Sequence, residues 1–105
     1  MTTFTRAEAE ALLPVVRPLL EDIQRRAASY ARRPSEPVAR ELRSLGAEVQ
    51  ALGVELKDPT AGLVDFRMVR RGHEVYLCWK LGEGDRIAWW HEIDAGFRGR
   101  RIIED

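Results

Sequence analysis

The stretch 63–80, LVDFRMVRRGHEVYLCWK, decides the architecture. Two runs rich in β-branched and aromatic residues, 63–70 and 73–80, are joined by Arg71-Gly72 alone. A two-residue connection ending in glycine between alternating runs is the signature of a tight β-hairpin. Alternation then sorts the side chains, because successive residues of a strand point to opposite faces. Val64, Phe66, Met68, Val75, Leu77 and Trp79 fall on one face, predicted to be the core. Asp65, Arg67, Glu74, Tyr76, Cys78 and Lys80 fall on the other.

Outward toward the C-terminus, GEGD at 82–85 reads as a hairpin connection leading to a third strand over 87–93. No helix follows its glycines and its acids would repel phosphate, so it is not a phosphate loop. Continuing the alternation puts Ile87, Trp89 and Ile93 on the core face and Trp90, Glu92 and Asp94 on the polar one. Outward toward the N-terminus, 53–57 is a short extended piece, and DPTAG at 58–62 is turn chemistry with Asp58 capping the backbone two residues on. Ile102-Ile103 offers a further edge pairing. The second half therefore reads as an antiparallel meander of three to four strands.

The first half, 1–52, reads as helix. Thr5 and Glu8 form a capping box. Leu12, Leu13, Val16, Leu19, Leu20, Ile23, Ala27 and Tyr30 recur at helical spacing. Pro14 and Pro18 each remove a backbone donor, which predicts a kink near 10–14. The alternative is a break, with Pro14 opening a second helix. After the turn RPSEP (33–37), a second helix runs from about Pro37 to Leu52. Its Val38, Leu42, Leu45, Val49 and Leu52 form a narrow heptad seam ended by Gly53. The expected fold is α+β in one domain: an N-terminal helical hairpin, one long kinked helix and a shorter one, packed on a small antiparallel sheet. A helix from 6 to 32 would span roughly 40 Å and outrun its partners, which predicts a homodimer with paired hairpins. The alternative is a helix that breaks at the prolines and folds back.

The composition sets bounds on function. The 105 residues carry 17 Lys+Arg and 17 Asp+Glu. Residues 1–52 hold 8 basic and 7 acidic side chains, and 53–105 hold 9 and 10, so neither half is a basic module for nucleic acid or an acidic membrane. One cysteine excludes a disulfide framework and an all-cysteine zinc site. With no apolar signal core and no membrane span, the expected location is the cytoplasm, with Cys78 a free thiol. The Arg98–Arg101 stretch, next to Glu104 and Asp105, reads as a solvated tail rather than a phosphate site.

Chemistry concentrates on the polar sheet face. Tyr76 and Trp90 there call for a covering surface or a ligand, so Asp65, Glu74, Tyr76, Trp90 and Glu92 are the candidate ligand-binding residues. Asp65 is expected to take a cross-strand basic partner, with Arg67, Lys80 or Arg86 in reach. By parity His91 belongs to the core, hydrogen-bonded to backbone. If a bulge shifts the register after Trp89, His91 joins Asp65, Cys78 and Glu92 as a possible ligand set for a divalent metal such as zinc. Without that shift no cofactor is expected. HEIDA at 91–95 begins like a helical zinc-protease motif, but Ala95 stands where a second histidine is needed and the context is a strand. A lone Cys78 flanked by Leu77 and Trp79 reads as inert packing.

Short blocks across the chain, GVELKD (53–58), GLVDF (62–66), EVYLCW (74–79), WHE (90–92) and GFxGR (96–100), resemble a bacterial family of domains of unknown function, family 2203. Phe4-Thr5, Glu8-Ala9 and Leu12-Leu13-Pro14 are similar to the family's opening. The resemblance implies no activity and carries over no catalytic residues. It does direct attention to Asp58, Asp65, Glu74, Tyr76, Trp79, His91 and Glu92. Two functions are expected from different classes. The first is a non-enzymatic interaction or scaffold protein that docks itself or a protein partner. The other is a small metal- or ligand-binding enzyme using Asp65, His91 and Glu92.

Overall fold

The computed structural model describes residues 2–104. Two helices, α1 (Arg6–Arg32) and α2 (Glu36–Ala51), precede five strands: β1 (Glu55–Asp58), β2 (Leu63–Arg70), β3 (His73–Lys80), β4 (Trp89–Glu92) and β5 (Arg101–Ile102). The strands form one antiparallel sheet in sequence order, β1-β2-β3-β4-β5. This is the α+β hairpin-on-sheet arrangement, with one strand more than the expected meander because both flanking segments pair.

Local chemistry fixes the helix ends. The Glu8 backbone N–H donates to the Thr5 hydroxyl at 3.1 Å, and the Thr5 N–H donates to the Glu8 carboxylate at 2.8 Å. Ser35 caps α2 through the Val38 N–H, with Pro37 in the first turn. α1 is not broken: it continues through Pro14 and Pro18. Both prolines lie on its exposed side, where water can serve the carbonyls left without a donor.

The apolar stripe of α1 is largely covered within one chain. Ala9, Leu13, Val16, Leu20 and Ile23 are buried in one core with Val49 of α2 and Phe66, Leu77 and Trp79 of the sheet. Leu12, Leu19, Leu42 and Leu45 are half-buried around it, and Tyr30, near the end of α1, is 39% exposed.

The β2–β3 hairpin has the expected register, from Leu63↔Lys80 to Arg70↔His73. Its turn puts Arg71 at φ 50° and Gly72 at φ 85°, the paired left-handed conformations of a type I′ turn. Asp58 closes the β1–β2 turn by accepting from the Thr60 and Ala61 N–H groups at 3.0 and 3.2 Å.

The alternation fails in β4. Leu77 pairs with Trp90, Tyr76 with His91, and Cys78 with Trp89. Paired residues share a face, so Trp90 and Glu92 lie on the helix side, while Trp89 and His91 lie on the polar side with Tyr76 and Cys78. The parity expected from Ile87 is therefore reversed from Trp89 onward, and Ile93 is 41% exposed. The cause is at Ile87. Its N–H donates to the Glu10 carboxylate at 2.8 Å and its carbonyl accepts from Arg6 Nε at 2.9 Å, while its side chain enters the core. Strand pairing starts only at Trp89, so the shift comes before that residue and not after it.

Candidate functional site

The reversal brings three residues of the polar face together from three adjacent strands. Asp65 and Cys78 are direct cross-strand partners on β2 and β3. His91 on β4 stands opposite Tyr76 and reaches back to Asp65. The ligand atoms of Asp65, Cys78 and His91 lie within 4.8 Å of one another, and all three residues are buried, at 3%, 0% and 2% exposure.

The hydrogen bonds define a proton problem. His91 Nδ1 lies 2.7 Å from the Glu92 carbonyl, which can only accept, so Nδ1 carries a hydrogen and donates. In a neutral imidazole that leaves Nε2 with a lone pair, and Nε2 faces Asp65 Oδ2 at 3.0 Å. A carboxylate oxygen and an imidazole lone pair at that distance need a cation between them: a second proton shared by the pair, or a metal. The other carboxylate oxygen, Asp65 Oδ1, is buried without a nitrogen or oxygen donor, and the Cys78 thiol is the one further donor that acts on this carboxylate, a thin set for a buried charge.

Burial pushes the Asp65 carboxyl above the usual carboxylate range, against the pull of His91. Burial, followed by the nearby Asp65 charge, pushes the Cys78 thiol up to about 12, against the pull of Arg100. Both effects disfavour the thiolate that a nucleophile needs. The same three groups are donors that could hold a divalent metal if atoms now up to 4.8 Å apart draw closer. Imidazole nitrogen, thiolate and carboxylate are its usual donors, and tetrahedral zinc places such atoms roughly 3.3–3.6 Å apart. The His91–Glu92 carbonyl bond supplies the outer contact that orients a ligating imidazole.

The rim is built from cations and aromatics. Tyr76 lies against the His91 ring at 5.4 Å between centroids. Its hydroxyl donates to Glu55 and accepts from Arg67, both at 2.7 Å. Lys57 Nζ sits 4.7 Å from the Tyr76 ring centroid, so the chain's own side chains provide the cover this face was expected to need. Arg100 closes the other side. It is only 11% exposed, pairs with Glu83, donates toward Cys78 Sγ at 3.7 Å and stacks over Trp89 at 4.4 Å. The tail is therefore not uniformly solvated, and Arg100 and Glu83 are site residues that the sequence reading missed. Their approach joins two loops 17 residues apart, which no local pattern signals.

The expected residues divide accordingly. Asp65, Cys78, His91 and Tyr76 come together. Glu92 does not join them: it lies on the helix-side face, 3.4 Å from His73. Trp90 is on that face too. Glu74 is exposed and pairs with Arg67 at 3.0 Å. The partner of Asp65 is His91 rather than Arg67, Lys80 or Arg86. Among the described residues no helix is long and apolar enough to cross a membrane.

Comparison with known proteins matches residues 2–103 to the family of uncharacterized conserved proteins DUF2203. No curated protein and no solved structure matches the chain.

Proposed function

The chain belongs to the DUF2203 family, and we propose that it is a metal-binding domain that holds one divalent ion, zinc by donor chemistry, on Asp65, Cys78 and His91. The observation that carries this reading is the buried Asp65 carboxylate, with Oδ1 lacking a nitrogen or oxygen donor and Oδ2 facing the lone-pair side of His91. A metal would satisfy both atoms and take the buried thiol as thiolate. Burial of all three donors favours a structural or sensing site over an open catalytic one. That keeps the non-enzymatic class in front and drops Glu92 from the expected ligand set, leaving Asp65, Cys78 and His91.

The test is metal content. Protein purified without added metal, then reconstituted with zinc and desalted, is expected to hold about one ion per chain by plasma mass spectrometry. His91→Ala should hold none. A wild type that retains no metal after reconstitution sinks the reading, and so does an unchanged content in His91→Ala.

Self-association is a second reading, supported by the half-buried Leu19, Leu42 and Leu45 and the exposed Tyr30 on the helical hairpin. Light scattering behind size-exclusion chromatography decides it. A mass of 12.0 kDa at micromolar concentration would end it.

A further inference from the structure

The helix-side face of the sheet is not wholly roofed by helix. Its far corner carries Arg70, His73, Trp90, Glu92 and Arg101, in rows set by the pairings Arg70↔His73, Leu77↔Trp90 and Trp90↔Arg101. Two guanidiniums close on one indole there: Arg70 lies 4.2 Å and Arg101 5.4 Å from the Trp90 ring centroid. Arg71 of the hairpin turn joins them around a hollow of about 490 Å³. A narrower hollow of about 160 Å³ adjoins it, sharing Arg70, Trp90 and Glu104 as walls and adding Arg6, Met68, Leu77 and Ile103.

What marks this corner is that three cations without a carboxylate partner meet there. Most cations of the chain reach a carboxylate: Arg17 meets Asp85, Arg26 meets Asp22 and Glu41, Arg67 meets Glu55 and Glu74, and Arg100 meets Glu83. Among the described residues, Arg70, Arg71 and Arg101 have no carboxylate within 4 Å, although they converge on one hollow. Of the two acids lining it, Glu92 faces His73 and Glu104 is the other. Arg71 also holds a left-handed backbone conformation, φ 50°, that a side-chain-bearing residue adopts at a cost.

We infer that this corner binds an organic phosphate, with its phosphates on Arg70, Arg71 and Arg101 and its apolar or aromatic body over Met68 and Ile103. Guanidinium forks match phosphate oxygens in pairs. The combined hollow is of small-molecule size, with one charged end and one apolar end. This inference does not depend on the metal site, which lies on the opposite face of the sheet.

Calorimetric titration of the metal-free 105-residue chain with adenosine diphosphate and, separately, with inorganic pyrophosphate tests it at low ionic strength. Both are expected to bind saturably, the diphosphate nucleotide more tightly, and both more weakly as salt rises. Arg70→Gln and Arg101→Gln should each lose about tenfold in affinity. Arg71→Gly should weaken binding while raising the melting temperature by a few degrees, because glycine relieves the positive φ. That pairing separates a binding role from a structural one and shows that the variant is folded. No saturable heat with either probe overturns the inference. Wild-type affinity in the arginine variants does the same, and equal affinity for the two probes removes the apolar half of the site.

Discussion

His91 Nε2 lies 3.0 Å from Asp65 Oδ2, reaching across β3 from β4 to β2. Its Nδ1 hydrogen is committed to the Glu92 carbonyl. The contact is therefore between two atoms that both prefer to accept, inside a region sealed from water. Without a shared proton such a contact is a cost in the metal-free protein, and it becomes an asset once a metal ion is present.

From this relationship Asp65→Asn should have opposite effects on the two states. The asparagine amide can donate to Nε2 and removes the buried charge, so the metal-free variant should be more stable than metal-free wild type. Relief of a buried unsatisfied polar group is worth about 1–3 kcal/mol, which for a domain of this size is several degrees in melting temperature. Zinc should raise the melting temperature of wild type but not of the variant. Calorimetric melts in chelator and in zinc check both halves. A variant less stable in chelator would mean that an ion pair with His91 stabilises the metal-free fold.

Leu77 tests the register of the sheet. It is 1% exposed, opposite Phe66 on one side and Trp90 on the other. Leu77→Ala should cost roughly 2–5 kcal/mol by chemical denaturation, the range for a large core side chain cut to alanine. A loss below about 1 kcal/mol is incompatible with that packing.

The difference between β3 and β4 shows what the sequence could and could not reveal. The β2–β3 hairpin is legible because its two-residue turn fixes the register, and the alternation then runs unbroken over both strands. The capping box and the helical spacing of Leu13, Val16, Leu20 and Ile23 are equally local. In 87–93 the alternation depends on where pairing begins, and that is set by Arg6 and Glu10 clamping the Ile87 backbone from 81 and 77 residues away. Trp89 and Trp90 are equally large and apolar, so neither marks the core side. The alternation therefore puts Asp65 and Cys78 on one face, while the side of the sheet taken by His91 is decided by contacts outside its own segment. The closure of Arg100 on Glu83 is non-local in the same way.

Glu55 supplies a pH dependence. Burial raises its carboxyl, but the Tyr76 hydroxyl, Lys57 and Arg67 together outweigh this and hold it below the ordinary value of 4.5. A group whose acidity is increased by folding stabilises the fold above its unfolded pKa, and that contribution is lost as pH falls through the folded value. Glu55→Gln should thus be less stable than wild type at pH 7. The side chain is a third exposed, so the gap should be no more than about 1 kcal/mol. Denaturation at a series of pH values should show the gap constant well above 4.5 and closing below it. A gap that persists at pH 3 would assign the effect of the substitution to packing.

The cover over Cys78 gives the remaining prediction. The segment between β4 and β5 makes mainly local backbone bonds, Ala95 N–H to Glu92, Gly99 N–H to Gly96 and Arg100 N–H to Phe97. Its hold on the sheet centres on Arg100, which meets Glu83, Trp89 and Cys78 at once. Glu83→Gln leaves Arg100 in place but removes its anionic partner, so the segment should lift more often. Cys78 reacts only as a thiolate and only when exposed, so labelling by a thiol-specific disulfide reagent at pH 8 reads the opening directly. Labelling should be slow in wild type and about tenfold faster in Glu83→Gln, the factor that corresponds to weakening one partly buried charged contact by ~1.4 kcal/mol. Equal rates would mean that Glu83 does not hold the cover. Fast labelling of wild type would contradict burial of the thiol itself.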